Sequence, residues 1–179
     1  LEQADGTSLA GSIGYALNSM RTAYPDAIEP VLDANINERG RAFLDTVADQ
    51  CVSETAFQFG FAETSDFTRT GESLAQIVAR SPDVAAVLDE NRIGTMAPDA
   101  PVLVLSGTSD DIVPFGQARE LADEWCTRGA NVRFDQFVEP SVIDGLALGH
   151  VMPMLGGTPT FVDWLSARFA GEPAEANCT

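Results

Sequence analysis

The chain has 179 residues and 45% hydrophobic content, enough for one domain with a buried core or for part of a larger one. Its formal charge is −17, from 27 acidic and 10 basic residues, and every basic residue is an arginine. Such a surface repels phosphate backbones and anionic membranes, and no apolar run approaches the roughly 20 residues that span a bilayer.

In chain order, the first pattern is helical. Residues 8–24 place Leu9, Ile13, Ala16, Leu17 and Met20 on one face. Tyr24-Pro25 ends that helix, because a residue before proline avoids the α region. Short helices are predicted over 26–34 and 38–50, the second turning Phe43, Leu44 and Val47 inward. Residues 52–70 are ambiguous. The alternation Phe57-Gln-Phe-Gly-Phe61 fits a strand, and equally a loop or helix that packs aromatic rings. Glu72–Arg80 and Pro82–Asn91 read as two helices, with Pro82 in a first turn after Ser81 as N-cap.

Near residue 98 the pattern changes to strand and helix in alternation. Strand 102–106 precedes helix 116–128, which carries the stripe Ala118, Leu121, Ala122 and Trp125 and closes at Gly129. Strand 131–138 follows, then a loop, then helix 158–170 with Phe161, Trp164, Leu165 and Phe169. Alternating β and α implies parallel strands joined by right-handed crossovers. Two strands do not make an independent sheet, so the pattern implies further strands elsewhere.

Asp110 and His150 are the residues with candidate chemistry. Each follows one of the two predicted strands, and functional groups gather at the carboxyl ends of parallel strands. An aspartate there would accept the histidine Nδ1–H and fix the tautomer, leaving Nε2 to take a proton from a serine. In Gly107-Thr-Ser-Asp110-Asp-Ile-Val-Pro114 the glycine permits a tight exit from the strand, and Val113-Pro114 starts the next helix. Asp111 is the competing acid. An Asp after a strand is also a common turn former, and a lone histidine is often structural. Chain order and separation favour the functional reading of the pair. No Gly-x-Ser-x-Gly occurs, and Ser12 and Ser109 read as packing and turn residues. Gly149, Gly156 and Gly157 flank Met152-Pro-Met154, which suits turns or a mobile flap.

The cysteines Cys51, Cys126 and Cys178 match no metal-site spacing, and no metal or organic cofactor is implied. Cys178, one residue from the end, suggests a disulfide that ties down a tail. The acidity suits a secreted protein kept soluble by charge, or adaptation to high salt. No signal peptide is visible and the first residue is not Met, as expected of a mature, processed or excised piece.

Several stretches together resemble the secretory lipase family of fungi and actinobacteria. They are Gly11-Ser-Ile-Gly-Tyr-Ala-Leu17 with Tyr24-Pro25, Gln50-Cys51, Asp110-Asp-Ile-Val-Pro-Phe115, Trp125-Cys-Thr-Arg-Gly-Ala-Asn-Val-Arg-Phe134, and Gly149-His150 with the final helix and Cys178. The resemblance covers nearly the whole chain but only the C-terminal part of the family's length. It implies the C-terminal part of an α/β-hydrolase sheet with an inserted helical cap, acting on carboxylic esters such as acylglycerols. Residues 1–24 would lead from the core into the cap, 25–97 would be the cap, and 98–179 the C-terminal βαβα part of the core. Asp110 would be the triad acid and His150 the base. Cys126 and Cys178 would form a disulfide, and Cys51 would pair with a cysteine in an N-terminal half. That half would also carry the nucleophilic serine, so the chain alone would be inactive. Phe57, Phe59, Phe61 and Phe67 would line an acyl tunnel or lid, with Met152 near the substrate; packing within the cap explains the aromatic residues equally well. Alternatives on the same residues are a non-catalytic module that binds lipid or a partner, and an acyltransferase.

Overall fold

The structure, a computed structural model, describes residues 2–138 and 143–178. It forms two compact units, Leu1–Asn91 and Arg92–Thr179.

The first unit is helical. It comprises α1 (Ser12–Ala23), α2 (Pro25–Asn35), α3 (Glu38–Ala48), α4 (Val52–Phe59), a 3₁₀ turn Thr64–Phe67, α5 (Leu74–Ala79) and α6 (Pro82–Glu90). Tyr24-Pro25 ends α1 and starts α2, with Pro25 in the first turn, where its missing N–H costs nothing. Asn37 caps α3. Its Oδ1 accepts the Gly40 N–H at 2.9 Å, while its amide donates to the carbonyls of Asp66 and Thr68. One side chain thus starts a helix and ties it to the 3₁₀ turn.

The core of this unit centres on Phe43. Its ring stacks on Phe67 at 4.5 Å and meets Phe59 edge-on at 4.8 Å. Ile13, Leu17, Ile28, Leu32, Ile36, Leu44, Val47, Leu74, Ile77 and Val84 complete the cluster. Gly14 lets α1 press onto α3, since a Cβ there would sit 2.5 Å from Val47 and 2.8 Å from Phe43. The helix-packing reading of Gly11-Ser-Ile-Gly14 therefore describes what these residues do.

One ambiguity resolves, and one expectation holds in position but not in its hydrogen bond. The aromatic alternation at 57–61 does not form a strand. Residues 52–59 are helical, Gly60 ends the helix, and Phe61 turns at φ 63°. Ser81 precedes α6, but its hydroxyl does not cap that helix. It donates back to the Ile77 carbonyl at 2.7 Å.

The second unit contains β1 (Val102–Gly107), α7 (Phe115–Thr127), β2 (Val132–Phe137), α8 (Leu148–Gly156) and α9 (Thr158–Phe169). The strands pair in parallel, with Val102 opposite Val132 and Gly107 opposite Phe137. Gly129, at φ 87°, closes α7. Ala122, Ala130, Val132 and Phe134 are buried with Val104, Phe115, Ala118 and Trp125 packed around them.

The outer edge of β2 is covered by the C-terminal tail. Asn177 acts as a one-residue strand. Its N–H donates to the Val132 carbonyl, its Oδ1 accepts the Phe134 N–H at 2.7 Å, and its Nδ2 donates to the Phe134 carbonyl at 2.9 Å. The next residue, Cys178, is joined to Cys126 of α7 by a disulfide, which holds the tail on that edge.

The rest of the unit is only partly covered. Val102–Leu105 are half-buried although they form a continuous apolar run, the pattern of a strand built to be covered on both faces. Among the described residues, β1 has no strand partner on its other edge. No residue of α9 is buried, and Phe169 is 90% exposed.

The loop expected before His150 includes residues 139–142, which lie outside the described residues. His150 itself lies in helix α8 rather than in a loop, and so do Met152-Pro-Met154. This segment is a helix packed on β1, not a flap between turns. Pro153 sits inside the helix, and the three glycines act as contact points. A Cβ at Gly156 would meet the Phe137 ring at 2.5 Å, and one at Gly157 would meet Leu105 at 2.0 Å.

Candidate active site

β1 ends at Gly107, and the turn that follows presents Asp110. The Asp110 side chain is 7% exposed. Its Oδ1 accepts the backbone N–H groups of Ile112 and Val113, at 2.9 and 2.8 Å. These bonds orient the carboxylate and leave Oδ2 to face His150 Nδ1 at 3.0 Å. A carboxylate only accepts, so Nδ1 carries the proton and Nε2 is the nitrogen left for chemistry. The imidazole is 40% exposed.

His150 is placed by the first turn of α8. Gly149 rests on the acid's own turn, where a Cβ would lie 2.0 Å from the Ser109 carbonyl oxygen and 3.1 Å from the Asp110 Cα. Only glycine brings the helix close enough for the ring to reach the carboxylate. Asp111, the competing acid in the sequence, does not face the ring. Its Oδ2 accepts the Ala147 N–H at 2.8 Å. Gly149 immediately before His150 was a visible signal for this close approach, but it also suits an ordinary turn. The role of Asp111 had no signal in the sequence.

Beside the pair lies a mostly apolar cleft of about 310 Å³, lined by Leu105, Gly107, Asp110, His150, Val151, Pro153, Met154 and Phe161. An acid–base pair beside an apolar wall suits proton transfer at an ester whose acyl or alkyl part packs against that wall. Met152 is 42% exposed on α8 and is not among the lining residues; Met154 and Phe161 are.

The other candidate residues lie in the helical unit. Phe57 is 96% exposed and Phe61 55%, whereas Phe59 and Phe67 pack with Phe43. Cys51 is an exposed free thiol at the start of α4. Ser12 opens α1, and Ser109 lies in the turn before Asp110. Among the described residues, no group of three or more His, Cys, Asp or Glu side chains could hold a metal ion, and no helix is long and apolar enough to cross a membrane.

The chain is similar to known proteins over nearly its whole length. A secreted triacylglycerol lipase of Malassezia globosa is 28% identical over 99% of the chain and 38% of its own length. Lipase 10 of Candida albicans is 28% identical over 99% of the chain and 37% of its own length. A Mycobacterium tuberculosis relative, named as a "probable inactive lipase", is 27% identical over 94% of the chain and 35% of its own length. The chain thus spans less than two fifths of these curated relatives. The crystal structure of Candida antarctica lipase A in its closed state matches with a TM-score of 0.75 and 17% identity, over 99% of this chain and 40% of that one. At that identity the likeness shows the fold, that of an α/β-hydrolase, of which the parallel strands and their helices form a part. The family model described as "Secretory lipase" matches residues 1–177, and by that match the chain belongs to the secretory lipase family.

Proposed function

We propose that this chain supplies the acid and base of a secreted serine lipase or esterase, with the nucleophile carried by a part of the protein outside these 179 residues. The observation that carries the reading is the 3.0 Å contact between Asp110 Oδ2 and His150 Nδ1, beside an apolar cleft, in a chain of the secretory lipase family. His150 Nε2 would take the proton of a serine as it attacks the ester carbonyl. Asp110 would hold the ring and stabilise the imidazolium, which then protonates the departing alcohol. Water, activated by the same nitrogen, would release the acid from the acyl-enzyme.

Three observations support an external nucleophile. The relatives are more than twice as long as this chain. Among the described residues β1 has no strand partner on its other edge, and apolar groups on α9 lie exposed. Cys51 is unpaired and accessible, as expected of a cysteine whose partner belongs to an N-terminal half. On this reading residues 1–24 lead from the hydrolase core into a cap at 25–97, and 98–179 complete the core. Of the four aromatic residues at 57–67, Phe57 and Phe61 are the ones left exposed for an acyl chain. Phe59 is spoken for by the packing around Phe43, and Met152 would act only at the rim of the site.

A second reading, a non-catalytic module, is favoured by the relative named as a "probable inactive lipase". One experiment separates them. The complete protein is treated with a fluorophosphonate probe and weighed intact, then digested to locate the label. We expect one covalent adduct on a serine outside the 179 residues. No adduct would support the non-catalytic module, and an adduct within the 179 residues would overturn the external nucleophile.

A further inference from the structure

We infer that Asp111 is a positioning residue for His150, supplying from another loop the anchor that the first turn of α8 cannot provide for itself. The inference rests on reading Asp110 and His150 as acid and base.

The N-terminal turn of α8 has an unusual start. Its N-cap, Ala147, stands at φ 59° and ψ 17°, in the left-handed region that residues with a Cβ avoid, and it is 5% exposed. Such a conformation persists only where the surroundings hold it. Ala147 has no side-chain cap to offer, and its carbonyl accepts the Val151 N–H at 2.9 Å. In an ordinary capping box, the side chain at the third helical position reaches back to take the N-cap N–H. Here the third position is His150, whose ring is committed to Asp110. Asp111, 36 residues earlier, takes the Ala147 N–H in its place, at 2.8 Å. A carboxylate there also suits the positive end of the helix dipole.

Among the described residues, Asp111 Oδ1 is buried without a hydrogen-bond partner, so the bond of Oδ2 to the Ala147 N–H is the contact that holds this carboxylate. The turn after β1 therefore grips α8 at consecutive residues. The Ser109 carbonyl lies under Gly149, Asp110 holds the ring, and Asp111 holds the backbone N–H at the helix start. Losing the last grip frees Ala147 to leave its strained conformation and carries the ring away from Asp110.

The test uses the complete enzyme with Asp111→Ala and Asp111→Asn, beside Asp110→Asn and His150→Ala. Asp111→Ala should lower kcat about 10²-fold and leave KM within about twofold, the signature of a displaced catalytic group. Asp111→Asn keeps an oxygen that accepts the Ala147 N–H and should restore kcat to within about tenfold of the parent. If Asp111→Asn loses as much as Asp110→Asn, the charge matters rather than the anchor, and the inference is overturned, whether or not the alanine variant folds. If Asp111→Ala turns over at the parent rate while Asp110→Asn and His150→Ala do not, the inference fails and the acid–base reading stands. If Asp110→Asn and His150→Ala are themselves active, the reading fails and takes the inference with it.

Discussion

The two units differ in how far their own residues complete them. In Leu1–Asn91, apolar side chains from all six α-helices and the 3₁₀ turn join the cluster around Phe43. In Arg92–Thr179, the small cluster around Val132 and Phe134 lies under α7, while β1 stays half-buried and α9 buries no residue. The helical unit satisfies its apolar residues locally. The strand-containing unit carries the candidate chemistry yet, among the described residues, its sheet has two strands and β1 has no strand partner on its other edge. Functional groups of a parallel sheet sit at strand ends, so they depend on strands that are distant in the chain, whereas a bundle of consecutive helices can close on itself.

Four outcomes would break or sharpen this contrast. The largest concerns the closed core. Phe43→Ala removes the ring between Phe59 and Phe67 and should destabilise the helical unit by about 3–5 kcal/mol, read as lost hydrogen-exchange protection in α1 and α3. A change below 1 kcal/mol would mean that this core is not what holds the unit.

Next comes the clamp on the β2 edge. Cys178→Ser opens a cross-link between residues 52 positions apart and should cost about 2–4 kcal/mol in urea denaturation. It should also speed exchange of the Phe134 N–H, which Asn177 now covers. Unchanged exchange would show that the tail holds without its disulfide.

The third outcome concerns exposed apolar surface. Phe169→Ser should change the stability of this chain by no more than about 0.5 kcal/mol, because the ring is already in solvent. A larger loss would show that α9 is better covered than its exposure indicates.

The smallest effect lies on the rim of the helical unit. Glu72 accepts hydrogen bonds from Arg80 and Thr70, and these, the arginine first, hold its carboxyl below the usual carboxylate range. A lowered carboxylate contributes stability above its unfolded value and loses it as pH falls through the folded one. The loss is therefore confined to the acid limb, below the ordinary carboxylate range, and the contribution is weak because the pair is exposed. Arg80→Ala should return the Glu72 titration to the usual range by NMR and hardly alter melting at neutral pH. An unchanged titration would remove Arg80 as the cause.

What the sequence reveals follows the physics of each element. Tyr24-Pro25, Pro82 and Gly129 mark helix ends because they restrict the backbone itself. β1 and β2 stand out as apolar runs between helices, and the order acid, strand, base exposes Asp110 and His150. The alternation at 57–61 stays ambiguous in the sequence because it suits a strand by period and a helix by packing, and the contact of Phe59 with Phe43 decides for the helix. α8 is hidden by Pro153 and its glycines, which read as turn formers until their neighbours are known. The Cys126–Cys178 pairing follows from family resemblance and not from spacing. The grip of Asp111 on Ala147 is illegible because it depends on one backbone conformation across 36 residues.

The most direct test of the central claim is the turnover of His150→Ala in the complete enzyme, measured on a soluble ester under saturating substrate. If His150 is the general base held by Asp110, kcat falls on the order of 10³-fold or more. A loss smaller than about tenfold would mean that the histidine only packs α8 against the acid's turn, and would contradict the account.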